Sequence, residues 1–135
     1  MIGLAGPPSS GKTTLCVQIA YQLVANNENT IVVFISFEQS KEALRIKILS
    51  QLSRVDSRSI RRGKNSTDTE AWGRVHKAAA ELYAVADRLY ILEANLTFTV
   101  ERIKHIVEAL MTKHGAKMCV VIVDYLQKVP VADSA

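Results

Sequence analysis

The sequence predicts an α/β fold in which a mostly parallel sheet is flanked by helices. Several short segments are apolar along almost their whole length, which is typical of strands that are covered on both faces. These segments alternate with longer ones in which apolar residues recur at helical spacing. No linker-like stretch divides the chain, so we expect residues 1–135 to belong to one domain with one core.

Local patterns predict five elements in the first half of the chain. The expected strands are rich in apolar and β-branched residues, whereas the expected helices carry apolar residues three and four positions apart. We expect Leu15, Ile19 and Leu23 to face the sheet from the first helix, and Gly63 to end the third one. In chain order these elements are a strand at 1–5, a helix at 12–25, a strand at 30–36 (TIVVFIS), a helix at 40–52 and a short helix at 55–63.

The second half opens with a signal for the start of a helix. Thr67 and Glu70 have the spacing of a capping box, in which each side chain bonds to the backbone of the other residue, so a helix is expected over 68–87. We expect Trp72 and Tyr83 on this helix to be packing residues. The remaining elements are a strand at 89–92, an amphipathic helix at 99–114 that Gly115 ends, and a strand at 119–123 (CVVIV) that runs into Asp124.

The chain is mildly basic, with a formal net charge of +4, which allows a polyanionic partner without demonstrating one. A solvated helix face is the simpler interpretation of the basic run in the middle of the chain, and a contact with phosphates or with another subunit is the alternative. The run is opposed only by Asp56 and consists of Arg54, Arg58, Arg61, Arg62 and Lys64.

Cysteine usage and hydropathy predict a cytoplasmic protein without a membrane partner. Cys16 and Cys119 lie in separate apolar segments and are expected to be reduced core residues. The N-terminus lacks the pattern of a secretory signal, and no apolar run approaches the ~20 residues that span a bilayer. The histidines have no ligand-like spacing, so we expect no metal site made from protein side chains alone.

Residues 6–13 (GPPSSGKT) fit the pattern G-x-x-x-x-G-K-[ST], between an expected strand and an expected helix. Glycines let backbone N–H groups turn toward phosphate oxygens, and the helix N-terminus adds its dipole to the same anion site. Lys12 supplies a positive charge for the β- and γ-phosphates, and Thr13 supplies a hydroxyl for Mg²⁺. The pattern predicts a P-loop for a nucleoside triphosphate, formed by Gly6, Pro7, Pro8, Ser9, Ser10, Gly11, Lys12, Thr13 and Thr14.

Two carboxylates are expected at one edge of the sheet. Asp124 directly follows an apolar strand, at the edge where open α/β sheets bind ligands, and can hold Mg²⁺ through water. Glu38 follows another apolar strand by two residues. Either Glu38 orients and deprotonates the water that attacks the γ-phosphate, or it is simply favoured by the dipole of the next helix. The spacing alone does not decide between these two roles.

Three motifs together resemble the ATPase domain of DnaB-type replicative helicases. They are residues 6–14 (GPPSSGKTT), 34–38 (FISFE) and 121–127 (VIVDYLQ), and the segments at 52–56 and 60–63 resemble the same family. The resemblance covers nearly the whole chain. It implies a RecA-like fold, ATP and Mg²⁺ as cofactors, and a hexameric ring that moves along single-stranded DNA and unwinds duplexes.

The resemblance also implies roles for individual residues. Lys12 and Thr13 contact the phosphates and Mg²⁺, Asp124 holds Mg²⁺, and Glu38 is the catalytic base. The chain departs from the family pattern because it ends soon after the third motif. The family's domain continues with a strand that carries a γ-phosphate sensor, with DNA-contacting loops and with an arginine finger, so we expect an incomplete RecA-like domain.

The expected incompleteness has two consequences. In RecA-like folds the next strand lies between the P-loop strand and the Asp124 strand, so we expect either a gap between these two strands or their direct pairing. An arginine finger contributes several orders of magnitude to the hydrolysis rate, so we expect weak or no hydrolysis by the isolated chain.

Two further functions fit the same P-loop. One is a different RecA-fold ATPase, of the RadA-like or KaiC-like kind, which serves recombination or regulation. The other is a non-catalytic nucleotide-binding module. The strings at 124–127 (DYLQ) and 53–56 (SRVD) favour the helicase over the first of these.

Overall fold

The computed structural model describes residues 1–63 and 67–131; Lys64, the last residue of the basic run, lies outside the described residues. A three-residue 3₁₀ turn, Leu126–Lys128, follows the last strand. The helices and strands are α1 (Lys12–Asn26), β1 (Thr30–Ser36), α2 (Lys41–Ser53), α3 (Ser57–Arg62), α4 (Thr69–Ala84), β2 (Leu89–Glu93), α5 (Val100–His114) and β3 (Met118–Asp124).

The described strands form a parallel three-stranded sheet in the order β2-β1-β3. β1 is the central strand, and all of its residues are buried. The register places Ser36 opposite Glu93 on one side and opposite Asp124 on the other. All three strands therefore end at the same level, and the residues that follow them meet at one edge of the sheet.

Helices cover both faces of this sheet. Successive side chains of a strand point to opposite faces, so β1 presents Val32 and Phe34 to one side and Val33 and Ile35 to the other. The first pair packs in a cluster with α1 and α2, and the second pair packs with Phe98 and the apolar stripe of α5. The predicted α/β fold with flanking helices is confirmed.

Arg88 joins the end of α1 to the start of β1. Its Nη1 donates hydrogen bonds to the carbonyl oxygens of Val24 at 2.8 Å, Asn27 at 2.9 Å and Thr30 at 3.3 Å. The last carbonyl groups of a helix have no partner within the helix, and a charged donor satisfies them strongly. The guanidinium thus holds α1 in place beside the central strand.

The strand predicted at residues 1–5 is wrong. None of these residues belongs to a strand in the described part of the chain, and all five are exposed, Ile2 to 97%. A strand is stabilised by a neighbour that accepts and donates its backbone hydrogen bonds, and none of the described strands pairs with this segment. Of the two arrangements expected, the structure has this segment unpaired rather than joined directly to β3.

The orientation predicted for the first helix is wrong for Leu15 and Ile19, whereas Leu23 is partly buried and packs against the core. Leu15 and Ile19 each remain 43% exposed, whereas α1 buries Val17, Ala20 and Val24. Apolar residues occur nearly all round α1, so helical spacing fits more than one face of the helix. Because β3 is the edge strand of the described sheet, no described strand lies beside it to cover the face with Leu15 and Ile19.

The start of α4 differs from the prediction. Asp68 is the N-cap, and its carboxylate accepts a hydrogen bond from Ala71 N at 3.0 Å. The predicted capping box of Thr67 with Glu70 is therefore wrong, because aspartate in the next position satisfies the free N–H group of the first turn. Tyr83 is 84% exposed, so its predicted packing role is wrong as well, whereas Trp72 is partly buried.

Other local predictions agree closely with the structure. Gly63 and Gly115 end α3 and α5 with φ angles of 55° and 58°, in the region that glycine enters without strain. Cys16 and Cys119 are both free and half-buried, and each packs against a core cluster. None of the helices that the structure describes is both long and apolar enough to cross a membrane.

Candidate functional site

The loop before α1 lines a cleft of about 850 Å³ at the edge where the strands end. Gly11, the last loop residue, has a φ angle of 90°, and Ser9 has one of 61°. A Cβ atom at Gly6 would lie 2.8 Å from the Oγ of Ser10, so the loop closes tightly on itself at this position. Glycine makes both the close approach and the left-handed turn possible.

The start of α1 presents unpaired donors to this cleft. The helix hydrogen bonds begin with Leu15 N donating to Gly11 O at 2.9 Å, so the N–H groups of the preceding residues have no partner within the helix. Among the described residues no side chain caps this helix, and its first turn contains no acidic residue. Such an N-terminus is suited to bind an anion.

Lys12 adds a full positive charge to these donors. Its Nζ donates hydrogen bonds to the carbonyl oxygens of Gly6 at 2.6 Å and Pro7 at 2.9 Å. The ammonium group therefore lies within the curve of the loop. Because both acceptors are neutral, they do not cancel its charge, and the loop keeps a positive charge that suits an anion.

A hydrogen bond from Thr13 to Asp124 links the predicted P-loop to the end of β3. The Oγ1 of Thr13 donates to the Oδ2 of Asp124 at 2.8 Å, although the residues are 111 positions apart in the sequence. Asp124 is held in turn by its backbone, because its carbonyl oxygen accepts a hydrogen bond from Phe37 N at 2.8 Å. A hydroxyl and a carboxylate oxygen thus lie side by side at the start of α1.

These two oxygens fit a hard cation that also contacts a phosphate. Mg²⁺ takes oxygen ligands and usually keeps several waters, with only one or two protein groups and the substrate phosphates completing its shell. Within residues 1–63 and 67–131, no three His, Cys, Asp or Glu side chains form a group that could hold a metal ion. The donor set therefore suits a cation that arrives with a phosphate ligand rather than one held by the protein alone.

The charge of Asp124 also reaches the thiol of Cys16. Burial raises the pKa of Cys16, and the neighbouring Asp124 carboxylate raises this pKa further. Burial alone raises the pKa of Cys119. The additional effect on Cys16 arises because the negative charge of Asp124 disfavours a second negative charge on the thiolate.

Glu38 lies at the same edge of the sheet as Asp124, as predicted from its position two residues after β1. Both residues line the cleft. A tight turn fixes the backbone here: the Oγ of Ser36 donates to Gln39 O at 2.8 Å and accepts from Gln39 N at 3.0 Å. The Glu38 carboxylate forms an ion pair with Lys128, with its Oε1 3.8 Å from the Nζ. Glu38 is thus paired at the cleft with a residue that the sequence did not single out.

Most predicted site residues share the cleft. All of the predicted P-loop residues except Pro7 line it, as do Glu38 and Asp124. Sequence reasoning missed the lining residues Gln39 and Lys47, and it assigned no role to Tyr125 and Gln127, which also line the cleft and belong to the third motif. No local signal marks Lys47, because only the packing of α2 beside the loop, through Gln51 Nε2 and Thr14 O at 2.8 Å, brings it there.

The turned loop, the lysine within it, the free helix N-terminus and the carboxylate at the end of β3 together define a P-loop protein of the RecA-like α/β class. The family model described as the DnaB-like helicase C terminal domain matches residues 1–135. This chain belongs to that family, which confirms the resemblance and disfavours the RadA-like and KaiC-like alternative.

Curated relatives of this chain are named as replicative DNA helicases. The replicative DNA helicase DnaB of a Nostoc species is 28% identical over 127 residues, which are 94% of this chain and 14% of that protein. A probable replicative DNA helicase of Trieres chinensis is 29% identical over 128 residues, which are 94% of this chain and 26% of that protein. The replicative DNA helicase DnaB of Pasteurella multocida is 28% identical over 127 residues, again 94% and 26%. The chain thus spans about a quarter of these relatives' length or less.

Two solved structures share the fold. One is described as an ATPase domain, with a TM-score of 0.82 and 21% identity, covering 94% of this chain and 43% of that one. The other is a DnaB-like replicative helicase studied for its interactions with primase, with a TM-score of 0.82 and 21% identity, covering 94% of this chain and 29% of that one. At this level of identity the likeness establishes the fold alone.

Proposed function

We propose that this chain is the ATP-binding part of a replicative DNA helicase. In the complete protein, ATP hydrolysis would drive movement along single-stranded DNA and unwinding of the duplex. The observation that carries the proposal is the 2.8 Å hydrogen bond between Thr13 and Asp124, beside the loop that holds Lys12. This hydrogen bond joins two residues that are 111 positions apart in the sequence, which supports a shared role for them at one site.

The first role of the site is to bind ATP with Mg²⁺. Lys12 and the free N–H groups at the start of α1 would hold the phosphates, because they supply positive charge and donors without a competing acid. Thr13 and Asp124 would hold Mg²⁺, which neutralises phosphate charge and orients the phosphates. Their adjacent oxygens support this assignment.

The second role is hydrolysis, for which we propose Glu38 as the base. Glu38 lines the same cleft as Lys12 and Asp124, which supports this role. A water oxygen would bond to the γ-phosphorus while the bond to the β-phosphate oxygen breaks, and the proton of the water would pass to Glu38. ADP and inorganic phosphate would leave, with Lys12 stabilising the charge that develops. We expect this reaction to be weak in the isolated chain.

The setting of the complete protein is part of the proposal. We propose that it works in the cytoplasm as a ring of six copies on single-stranded DNA. The family to which the chain belongs, and the replicative helicase names of its relatives, support a role on DNA.

A nucleotide titration tests the proposed site. A fluorescent ATP analogue is titrated into this chain with and without Mg²⁺, beside Lys12→Ala and the control Lys77→Ala, which removes an exposed lysine of α4. We expect saturable binding that weakens without Mg²⁺. Lys12→Ala should weaken it by about tenfold or more, because a hydrogen bond to a charged group contributes ~1.5–3 kcal/mol.

The control separates a site effect from a loss of overall charge. Lys12→Ala and Lys77→Ala lower the net charge equally, so only the position of the lysine distinguishes them. Equal affinity of Lys12→Ala and the unchanged chain would refute the P-loop assignment. An equal weakening of nucleotide binding by Lys77→Ala would also refute this assignment.

A further inference from the structure

Lys128 contacts the carboxylate that we propose as the base. Its Nζ lies 3.8 Å from the Oε1 of Glu38, and this is the only ion pair that Glu38 forms among the described residues. The side chains of Glu38 and Lys128 are 51% and 43% exposed, so neither is fixed by burial. Burial therefore does not fix the Glu38 carboxylate, and the ammonium group of Lys128 is the charged group that lies beside it.

The sheet register brings the two residues together. Ser36 lies opposite Asp124, and Phe37 N donates to Asp124 O at 2.8 Å, so the ends of β1 and β3 are joined. Glu38 follows the first strand and Lys128 follows the second, at the end of the 3₁₀ turn. The two side chains thus meet beside the cleft that Glu38 lines.

Tyr125 supports Lys128 in this position. The Nζ of Lys128 lies 5.1 Å from the centroid of the Tyr125 ring, within the range of a cation–π contact. The backbone N of Lys128 also donates to Tyr125 O at 3.1 Å. The ammonium group is therefore held by the residue that directly follows Asp124, at the border of the cleft.

A bound triphosphate would make the ion pair between Glu38 and Lys128 more important. Glu38 and Asp124 already place two carboxylates along one cleft, and the phosphates would add further negative charge. Repulsion between like charges would move the half-exposed Glu38 carboxylate away from the phosphates. The positive charge of Lys128 opposes this movement and keeps the carboxylate at the cleft.

We propose that Lys128 is a positioning residue for nucleotide hydrolysis, which holds the Glu38 carboxylate at the cleft. This inference rests on the proposed function of the cleft. It assigns Lys128 no contact with the phosphates, so loss of Lys128 should slow the chemical step and leave nucleotide affinity unchanged.

The contact itself is tested without any nucleotide. The side-chain carboxyl ¹³C resonance of Glu38, assigned through Glu38→Gln, is followed by NMR as NaCl is added to this chain and to Lys128→Met. We expect the resonance to shift with salt in the unchanged chain, because salt screens the ion pair, and to lose this dependence in Lys128→Met. The control Lys104→Met breaks an ion pair of equal length, Lys104 Nζ to Glu108 Oε1 at 3.8 Å, on an exposed face of α5.

The positioning role of Lys128 is tested by single-turnover hydrolysis of γ-labelled ATP. The chain is used in excess over ATP, so that slow rates can be detected. Lys128→Met should lower the rate by about two- to fivefold, the range that an exposed ion pair supports, with the Kd for ATP unchanged. Lys128→Arg keeps the positive charge, so its hydrolysis rate should match that of the unchanged chain. Lys104→Met should match the unchanged chain in both rate and affinity.

The outcomes distinguish failure of this inference from failure of the proposed function. If the salt dependence of the Glu38 resonance is unchanged in Lys128→Met, or if the hydrolysis rate does not fall, the positioning role is wrong while ATP binding stands. A parallel rise in Kd would also overturn it, since Lys128 would then be a binding residue. If the unchanged chain binds no nucleotide, the proposed function fails, and the role of Lys128 fails with it.

Discussion

Asp124 interacts with three residues on two parts of the structure, α1 and the end of β1. Its carboxylate accepts the hydroxyl of Thr13, its carbonyl oxygen accepts the backbone N–H of Phe37, and its charge raises the pKa of Cys16. The side chain that we propose for Mg²⁺ is therefore anchored to both the P-loop and the end of β1. Because the Asp124 charge raises the pKa of Cys16, the reactivity of this thiol reports on the charge of Asp124.

Removing the charge of Asp124 should make Cys16 more reactive. Only the thiolate reacts with iodoacetamide, and a raised pKa means that less thiolate is present at a given pH. Asp124→Asn removes the charge that raises the pKa of Cys16, so alkylation of Cys16 at about pH 8, just below the usual thiol pKa, should become faster. Mass spectrometry of the two cysteine peptides over time measures both rates in one sample.

Cys119 is the internal control for this experiment. Burial alone raises the pKa of Cys119, so its alkylation should remain slow in Asp124→Asn. Equal acceleration of both cysteines would show that the substitution loosens the fold, and would contradict a specific effect of the Asp124 charge on Cys16.

At the scale of elements, the ends of helices are decided by single residues. Ser40 and Thr99 accept hydrogen bonds from the first turns of α2 and α5, as expected for serine and threonine at an N-cap. Gly63 and Gly115 end α3 and α5. Because these signals act within a few residues, the sequence predicted most helix bounds closely.

Gly73 lies inside α4 and should be replaceable with a gain in stability. A Cβ atom there would meet no heavy atom within 4 Å, and alanine costs less conformational entropy in a helix than glycine does. Gly73→Ala should raise the free energy of unfolding by ~0.5–1 kcal/mol. Urea denaturation followed by far-ultraviolet circular dichroism measures the change.

Gly115→Ala is the matched control with the opposite sign. Gly115 also has free space around a Cβ atom, but its φ angle of 58° lies in the left-handed region. Alanine there should lower stability by ~1–2 kcal/mol. If both variants changed stability in the same direction, conformational preference would not explain either result.

At the scale of the whole molecule, stability depends on the central strand. β1 pairs with both other strands of the described sheet and is buried along its whole length. Both core clusters contain its residues, since Val32 and Phe34 belong to one cluster and Val33 and Ile35 to the other. The strand that carries the core also positions Glu38 and supports Asp124.

Phe34→Ala should therefore weaken the whole fold. Phe34 is 2% exposed, and emptying such a site costs ~3–5 kcal/mol through lost burial and the cavity that remains. This is a large part of the ~5–15 kcal/mol that stabilises a typical domain. Tyr83→Ala, at a position 84% exposed, should change stability by less than about 0.5 kcal/mol. Thermal denaturation compares the two, and similar losses would contradict the assignment of the core to β1.

The sequence by itself determined the features that act over short distances. The P-loop pattern, the apolar strands and the helix caps each depend on a few neighbouring residues, so most of their predictions agree with the structure. The edge shared by Glu38 and Asp124 was also predictable, because parallel strands of known direction end together.

Only the tertiary structure decided features that depend on distant neighbours. Residues 1–5 are apolar, yet they form no strand in the described structure because no described strand pairs with them. The buried face of α1, the entry of Lys47 into the cleft and the ion pair between Glu38 and Lys128 likewise arise from packing. Each depends on which elements lie side by side, and local residue patterns do not contain that information.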